Sequence, residues 1–267
     1  MTNFRNIARN VAVRSPFARM AQRWSERRVA EAAEDFPEKD ENGVPIPPAL
    51  LMATVAGHAD WRGFLRSGEE AIAVFSAAID RNGGDFAGAE RVLDFGCGCG
   101  RLARHAPQYT RADFFGVDYN SDLLDWCDHN LPGTFALNKL RPPLSFPDSH
   151  VDIMYLLSVF THLRIPTQIE WLKEYQRILK PGGFCLVTFH DEDHVNLPIT
   201  DIDTDTLDRD GFAYHNNAAE GSNLISTFQT KAQLTELVEP YFDLCEIIPS
   251  THNPITQAIA VLRKRAA

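Results

Sequence analysis

The 267-residue sequence contains no apolar run long enough to span a bilayer, which takes about 20 predominantly apolar residues. It is short of positive charge: 26 Lys and Arg stand against 36 Asp and Glu, a formal net charge of -10. Clustered Lys and Arg are what grip a phosphate backbone, so nucleic acid is not an expected partner. Cysteine is scarce and odd in number, five in all, which does not suggest a disulfide framework; a reducing, cytoplasmic setting is expected. Cys97 and Cys99 lie close together, but no second close pair follows to complete the four ligands of a structural zinc. No internal repeat and no low-complexity tract is visible.

What is present is 44% hydrophobic residue, enough for the core of one full α/β domain with extra segments. The chain is organised around residues 91–104, Arg-Val-Leu-Asp-Phe-Gly-Cys-Gly-Cys-Gly-Arg-Leu-Ala-Arg. Val92 and Leu93 suit a parallel strand covered on both faces. Gly96, Gly98 and Gly100 remove Cβ atoms where the backbone must bend and a ligand can approach, and Leu102 and Ala103 open a helix. Such a crevice, at the carboxyl end of a strand, is where open α/β sheets bind ligands. The spacing disfavours NAD and FAD, because a G-x-G-x-x-G fingerprint begun at Gly96 would need its last glycine at Arg101.

The first thirty residues reverse the global charge, with seven arginines from Arg5 to Arg28 against the single acid Glu26. Phe4, Ile7, Val11, Phe17, Met20 and Trp24 are interleaved with them. This pattern admits an amphipathic helix on an anionic membrane or a targeting segment, the plainer alternative being a solvated arm. Residues 31–48 turn acidic and then proline-rich, as linkers do. Residues 1–46 are therefore expected to form an arm and linker, and 47–267 the folded domain.

Ser67 with Glu70 predicts a capped helix that ends at Gly83 and Gly84. Strands are predicted at 91–95, 114–118, 134–137, 151–157 and 184–189. Between the last two, Thr167 with Glu170 predicts a helix stopped by Pro181-Gly182-Gly183. The alternation requires a doubly wound parallel sheet. Residues 190–226 read as a long polar loop leaving the sheet at its carboxyl edge, placed to cover an acceptor. Thr230 with Gln233 then caps a helix, and residues 242–248 and 255–262 form two final strands.

Asp118, at the end of the second strand, stands eighteen residues beyond Gly100. A carboxylate there can accept hydrogen bonds from both hydroxyls of a ribose, the alternative being a cap for the helix that starts near Ser121. His162, just after the fourth strand, is the nearest candidate for a base, and a histidine bonded to backbone is the equal alternative. His190, Asp191, Asp193 and His194 offer metal-ligand types close together, although dense acids in a loop are usually solvated and no metal is expected.

Three segments resemble the class I S-adenosyl-L-methionine (SAM) dependent methyltransferases: Val-Leu-Asp-Phe-Gly-Cys-Gly-Cys-Gly at 92–100, Pro-Pro-Leu-Ser-Phe-Pro-Asp-Ser-His-Val-Asp-Ile at 142–153, and Leu-Lys-Pro-Gly-Gly-Phe at 179–184. Asp94 through Gly100 match the D-x-G-x-G-x-G of that family's motif I. The resemblance extends over residues 47–264. It implies an α/β, doubly wound, Rossmann-like seven-stranded sheet, mostly parallel, with a C-terminal antiparallel hairpin. It also implies that Asp94, Gly96, Gly98 and Gly100 border the methionine part of the cofactor, that Asp118 holds the ribose, and that Tyr119 lies along the adenine. Asn138 stands where many members carry an acid, and its amide oxygen can still accept from the adenine amino group. Ser158 to His162 fall where the cofactor and acceptor pockets of the family meet, with Ser158 expected as a cofactor contact and His162 as the candidate base. The expected activity is methyl transfer from SAM to a small-molecule or saccharide acceptor; the alternative is a SAM-binding regulatory or partner protein without transferase activity.

Overall fold

The computed structural model describes residues 36–194, 202–216, 219–222 and 224–266. Residues 1–35 of the basic arm, and with them the expected membrane contact, lie outside the described residues. The chain divides into two compact units between Phe64 and Leu65. In the first, Asp40 organises a tight turn: its carboxylate accepts from Asn42 N and Val44 N, both at 2.9 Å, and Lys39 bridges Pro45. Part of the stretch read as linker is therefore a closed turn. Helix α1 (Ala49–Ala56) follows and ends at Gly57 in the left-handed conformation.

Helix α2 (Trp61–Arg81) begins before the Ser67 expected to cap it. Asp60 takes that place, its carboxylate accepting from Arg62 N at 3.1 Å, so Ser67 lies inside the helix. Gly68 shows why the sequence needs a glycine on this helix: a Cβ there would stand 2.0 Å from the carbonyl oxygen of Arg101. The close approach seats α2 against the turn that follows the first strand.

The strands are β1 (Arg91–Phe95), β2 (Asp113–Asp118), β3 (Thr134–Leu137), β4 (Val151–Leu156), β5 (Leu179–Phe189), β6 (Phe212–His215), β7 (Ser226–Gln229), β8 (Asp243–Ile248) and β9 (Ala258–Arg263). Seven form one sheet in the order β3-β2-β1-β4-β5-β9-β8, with β6 and β7 a separate antiparallel pair. The first five strands are parallel, and β9 runs antiparallel between β5 and β8. This is the expected doubly wound, Rossmann-like sheet with its C-terminal hairpin. The chain leaves β1 for β2 on one side and reaches β4 on the other, which creates a topological switch point at the carboxyl end of β1.

Strand alternation feeds two cores. Leu93, Phe95, Met154 and Leu156 face one side, where Phe95 packs edge-on against Trp171 and Tyr175 with ring centroids 4.6 and 5.2 Å apart. Val92, Ile153 and Tyr155 face the other, against Ile72, Phe75 and Ile79 of α2. Remaining helices are α3 (Ser121–Asn130), α4 (Ile165–Ile178), α5 (Thr204–Asp210) and α6 (Lys231–Val238). Thr230 caps α6 as expected, accepting from Gln233 N at 3.1 Å.

Two further local expectations fail. Thr167 does not cap α4, which starts at Ile165; its hydroxyl instead donates to Glu220 at 2.8 Å. Glu220 also accepts from Arg164 N at 2.7 Å, and Ile165 N donates to Tyr214 Oη at 3.1 Å. The start of α4 is thus satisfied from a distant segment, which no local pattern reveals. The stretch 190–226 is not a plain loop either, since it carries α5 and β6 and leads into β7.

Candidate functional site

The turn after β1 takes its shape from backbone bonds to β2. Gly96 N and Cys97 N both donate to Val117 O, at 2.8 and 3.1 Å. Gly96, Gly98 and Gly100 all sit at positive φ, and a Cβ on Gly96 would stand 2.6 Å from Val159 Cγ2. At the end of β2, Asp118 Oδ2 accepts from Gly98 N and Oδ1 from Asn120 N, both at 2.9 Å. Its main-chain oxygen accepts from Asn138 N at 2.9 Å. One residue therefore ties together the ends of β1, β2 and β3. The capping alternative for Asp118 goes to Asn120, whose side chain accepts from Asp122 N at 3.0 Å.

Electrostatics at this corner are set by burial. Asp94, on β1, is buried, and desolvation pushes its pKa up to about 8, with Asp118 adding to the rise and Arg101 opposing it. Asp118 is also raised by burial, against the backbone donors that favour its charged form. A carboxylate offers about four lone-pair sites, so each oxygen of Asp118 keeps acceptor capacity beyond its one backbone bond. Asn138 donates from Nδ2 to Lys139 O at 3.0 Å, while its Oδ1 is buried without a hydrogen-bond partner among the described residues. The corner thus offers a carboxylate with spare acceptor capacity and, beside it, a buried amide oxygen of the kind that a bound ligand satisfies.

Tyr119 extends outward from Asp118 and is 54% exposed. Its hydroxyl donates to Gly221 O, so the stretch after β6 reaches across the sheet edge to the end of β2. A Cβ on Gly221 would stand 3.0 Å from Leu140 Cδ1, which puts Leu140 in the same cluster. Sequence reasoning placed the stretch 190–226 over the acceptor alone, whereas Gly221 lies against Tyr119.

On the other side of the switch point, Ser158 follows β4 at φ +61°. Thr188 Oγ1 holds it in that conformation by accepting from Ser158 N at 2.7 Å, and Gln257 Nε2 donates to Ser158 Oγ at 2.7 Å. His162 lies in a single 3-10 turn (Phe160–His162), with its Nδ1 2.7 Å from Ile225 O. A carbonyl can only accept, so Nδ1 carries the proton and Nε2 the lone pair. Burial lowers the His162 pKa, and the bond to Ile225 opposes that shift. The backbone-bonded alternative is thus realised at Nδ1, and Nε2 keeps its lone pair.

The acids and histidines after β5 go elsewhere. Asp191 is buried and accepts from Ser250 Oγ at 2.5 Å and Ser250 N at 3.2 Å. Lys231 gathers Asp191, Glu192 and Asp193 at 3.3, 3.2 and 2.7 Å. His190 and His194 stack face to face with centroids 4.2 Å apart, so their nitrogens do not converge. Among the described residues no group of three or more such side chains is arranged to hold a metal ion. Gln257, Thr188 and the Ile225 carbonyl were missed by sequence reasoning, for they belong to no local motif and meet the site only through strand pairing.

A family model described as a methyltransferase domain matches residues 92–183, from β1 into β5. The fatty-acid O-methyltransferase of Mycolicibacterium smegmatis is 35% identical over 102 residues, 37% of this chain and 36% of that protein. A sterol 24-C-methyltransferase of Gibberella zeae is 32% identical over 99 residues, 35% of this chain and 26% of that protein. The chain thus spans between about a quarter and just over a third of the length of these curated relatives. The structure of a 1,6-didemethyltoxoflavin-N1-methyltransferase of Burkholderia thailandensis, solved with S-adenosylhomocysteine, superposes with a TM-score of 0.54 at 15% identity, covering 81% of this chain and 85% of that one. The glycine turn, the strand order and the matched segment agree: residues 92–183 are a methyltransferase domain, set in a sheet with the fold of the SAM-dependent methyltransferases.

Proposed function

We propose that the whole protein is an enzyme that transfers a methyl group from SAM to a small-molecule or saccharide acceptor, with residues 47–267 as the catalytic domain. One observation carries the reading: the Asp118 carboxylate is held by Gly98 N and Asn120 N at the open end of β2, beside three glycines at positive φ. Asp118 then takes the ribose hydroxyls, and the orphaned Asn138 Oδ1 accepts from the adenine amino group. Tyr119 lies along the adenine. Asp94, Gly96, Gly98 and Gly100 border the methionine end, and Ser158 stands between cofactor and acceptor. When bound, the cofactor supplies a methyl already activated by its sulfonium, so the task left to the chain is alignment and, for a hydroxyl acceptor, proton removal. His162 serves as that base: its Nδ1–H is spent on Ile225 O, and its lowered pKa keeps Nε2 unprotonated at neutral pH. Leu137 and Leu224, 63% and 60% exposed, leave apolar surface for a less polar part of an acceptor. The lipid and sterol in the relatives' names are consistent with such a part.

The test is release of S-adenosylhomocysteine from SAM by the full chain, measured with and without added acceptors. Asp118→Ala is expected to weaken SAM binding tenfold or more, because a hydrogen bond to a charged group contributes about 1.5–3 kcal/mol. Unchanged affinity in a folded Asp118→Ala protein removes Asp118 from the site.

A further inference from the structure

Resting on the reading that His162 faces the methyl acceptor, we infer that His190 and Gln257 form an uncharged recess beside it that hydrogen-bonds a hydroxyl of the acceptor and disfavours a carboxylate. Neither residue lies within the matched domain at 92–183, and the resemblance assigns neither a role.

Strand pairing brings the two together. Gln257 directly precedes Ala258, which pairs with Phe189, so the final hairpin delivers Gln257 to the end of β5 where His190 begins the next stretch. Gln257 donates through Nε2 to Ser158 Oγ, and its Oε1 is left buried with no hydrogen-bond partner among the described residues. His190 packs on His194 and on Phe228, with ring centroids 4.2 and 4.8 Å apart, and its Nδ1 is likewise buried and unpartnered. Buried polar atoms are rarely left unpaired, and two at adjoining strand ends point to a partner that arrives with a ligand. His162 stands four residues beyond Ser158, which Gln257 binds, so the recess lies on the side of the switch point that carries the proposed base.

The chemistry of the recess selects its guest. An amide oxygen only accepts, so whatever meets Gln257 Oε1 must donate a proton. A carboxylate is acceptor-only when ionised and would present lone pair to lone pair. Nor, among the described residues, does a Lys or Arg bear on His190. Burial, with His194 and His162 adding to it, pushes His190 down to about 3, so its imidazole is neutral. Lys231, behind this stretch, is already engaged by Asp191, Glu192 and Asp193. A hydroxyl meets the requirement, because it donates to Oε1 and offers lone pairs as well. The acceptor class is therefore an uncharged molecule with at least two hydroxyls, one at His162 and one in the recess.

A chain-matched pair of probes, 1,2-octanediol and octanoate, separates the two head groups. With the full chain saturated in S-adenosylhomocysteine, calorimetry is expected to show the diol binding at least tenfold more tightly than octanoate. The imidazole nitrogen resonances of His190 should move with the diol and stay with octanoate. Gln257→Leu is expected to weaken the diol fivefold or more and to narrow the gap between the probes. Should that variant lose its fold, Gln257→Glu is the second, expected to weaken octanoate further while retaining the diol. Octanoate binding as tightly as the diol, no diol binding, or unmoved His190 resonances overturns the recess. Failure of the wild-type chain to bind S-adenosylhomocysteine is a separate result: it overturns the cofactor reading of Asp118, and the same probe pair without it still decides the recess.

Discussion

Along the carboxyl edge of the sheet, the β1–β3 side is made by near neighbours in sequence, whereas the β4–β5–β9 side is made by residues far apart. Gly96, Gly98 and Asp118 are joined mainly by main-chain amides over a short span. Ser158, Thr188 and Gln257 are joined through side chains, and Ser158 and Gln257 are separated by 99 residues. Main-chain donors suit a cofactor whose shape is constant. Side-chain contacts can change with each substitution, which is why the proposed acceptor contacts are put on the second side. The two sides are coupled through 219–222, where Gly221 O receives the Tyr119 hydroxyl and Glu220 receives the start of α4.

The sharpest way to break the comparison is to damage one side and ask whether the other notices. His162→Ala is expected to lower turnover about 100-fold or more with a hydroxyl acceptor, as loss of a positioned base does, and to leave SAM affinity unchanged. In the wild type, kcat/KM should fall as pH drops through the His162 pKa, on an acidic limb below the ordinary histidine value of about 6.5. A pH-rate profile in which His162→Ala retains that limb would assign it to another group.

Asp94→Asn probes the cofactor side through stability. The native pKa of Asp94, raised to about 8 from 3.8, means that the folded chain binds an extra proton between those values. Stability from this group is present below about pH 4 and is lost as pH rises through about 8. Urea denaturation should therefore show Asp94→Asn gaining on the wild type as pH is raised across that window. A constant difference across it would place the titration elsewhere.

The smallest effect concerns the link between the two sides. Tyr119→Phe removes one hydrogen bond at a partly exposed position, worth about 1 kcal/mol, and local hydrogen exchange in 219–222 should speed up about fivefold in response. Unaltered exchange would mean that Glu220 holds the segment without Tyr119.

The sheet was legible because its strands are continuous apolar runs and its turns carry glycine, features that depend only on neighbours. The three glycines and Asp118 could be placed for the same reason. Helix starts were less legible: Ser67 and Thr167 have capping chemistry, but Asp60 starts α2 and a segment some fifty residues away satisfies the start of α4. The polar run 190–226 concealed α5 and β6, short elements whose patterns are too brief to read.

By itself, then, the sequence determined the fold class and the glycine turn at the end of β1, since each rests on local periodicity or on a backbone that only glycine permits. Tertiary structure alone decided that Ile225 O sets the tautomer of His162, that the pairing of Phe189 with Ala258 brings Gln257 and His190 to the same end of β5, and that Gly221 rests on Tyr119. These contacts depend on which strands lie side by side. That choice is made by burying two whole faces of a sheet at once, a sum over many residues that no single stretch of chain carries.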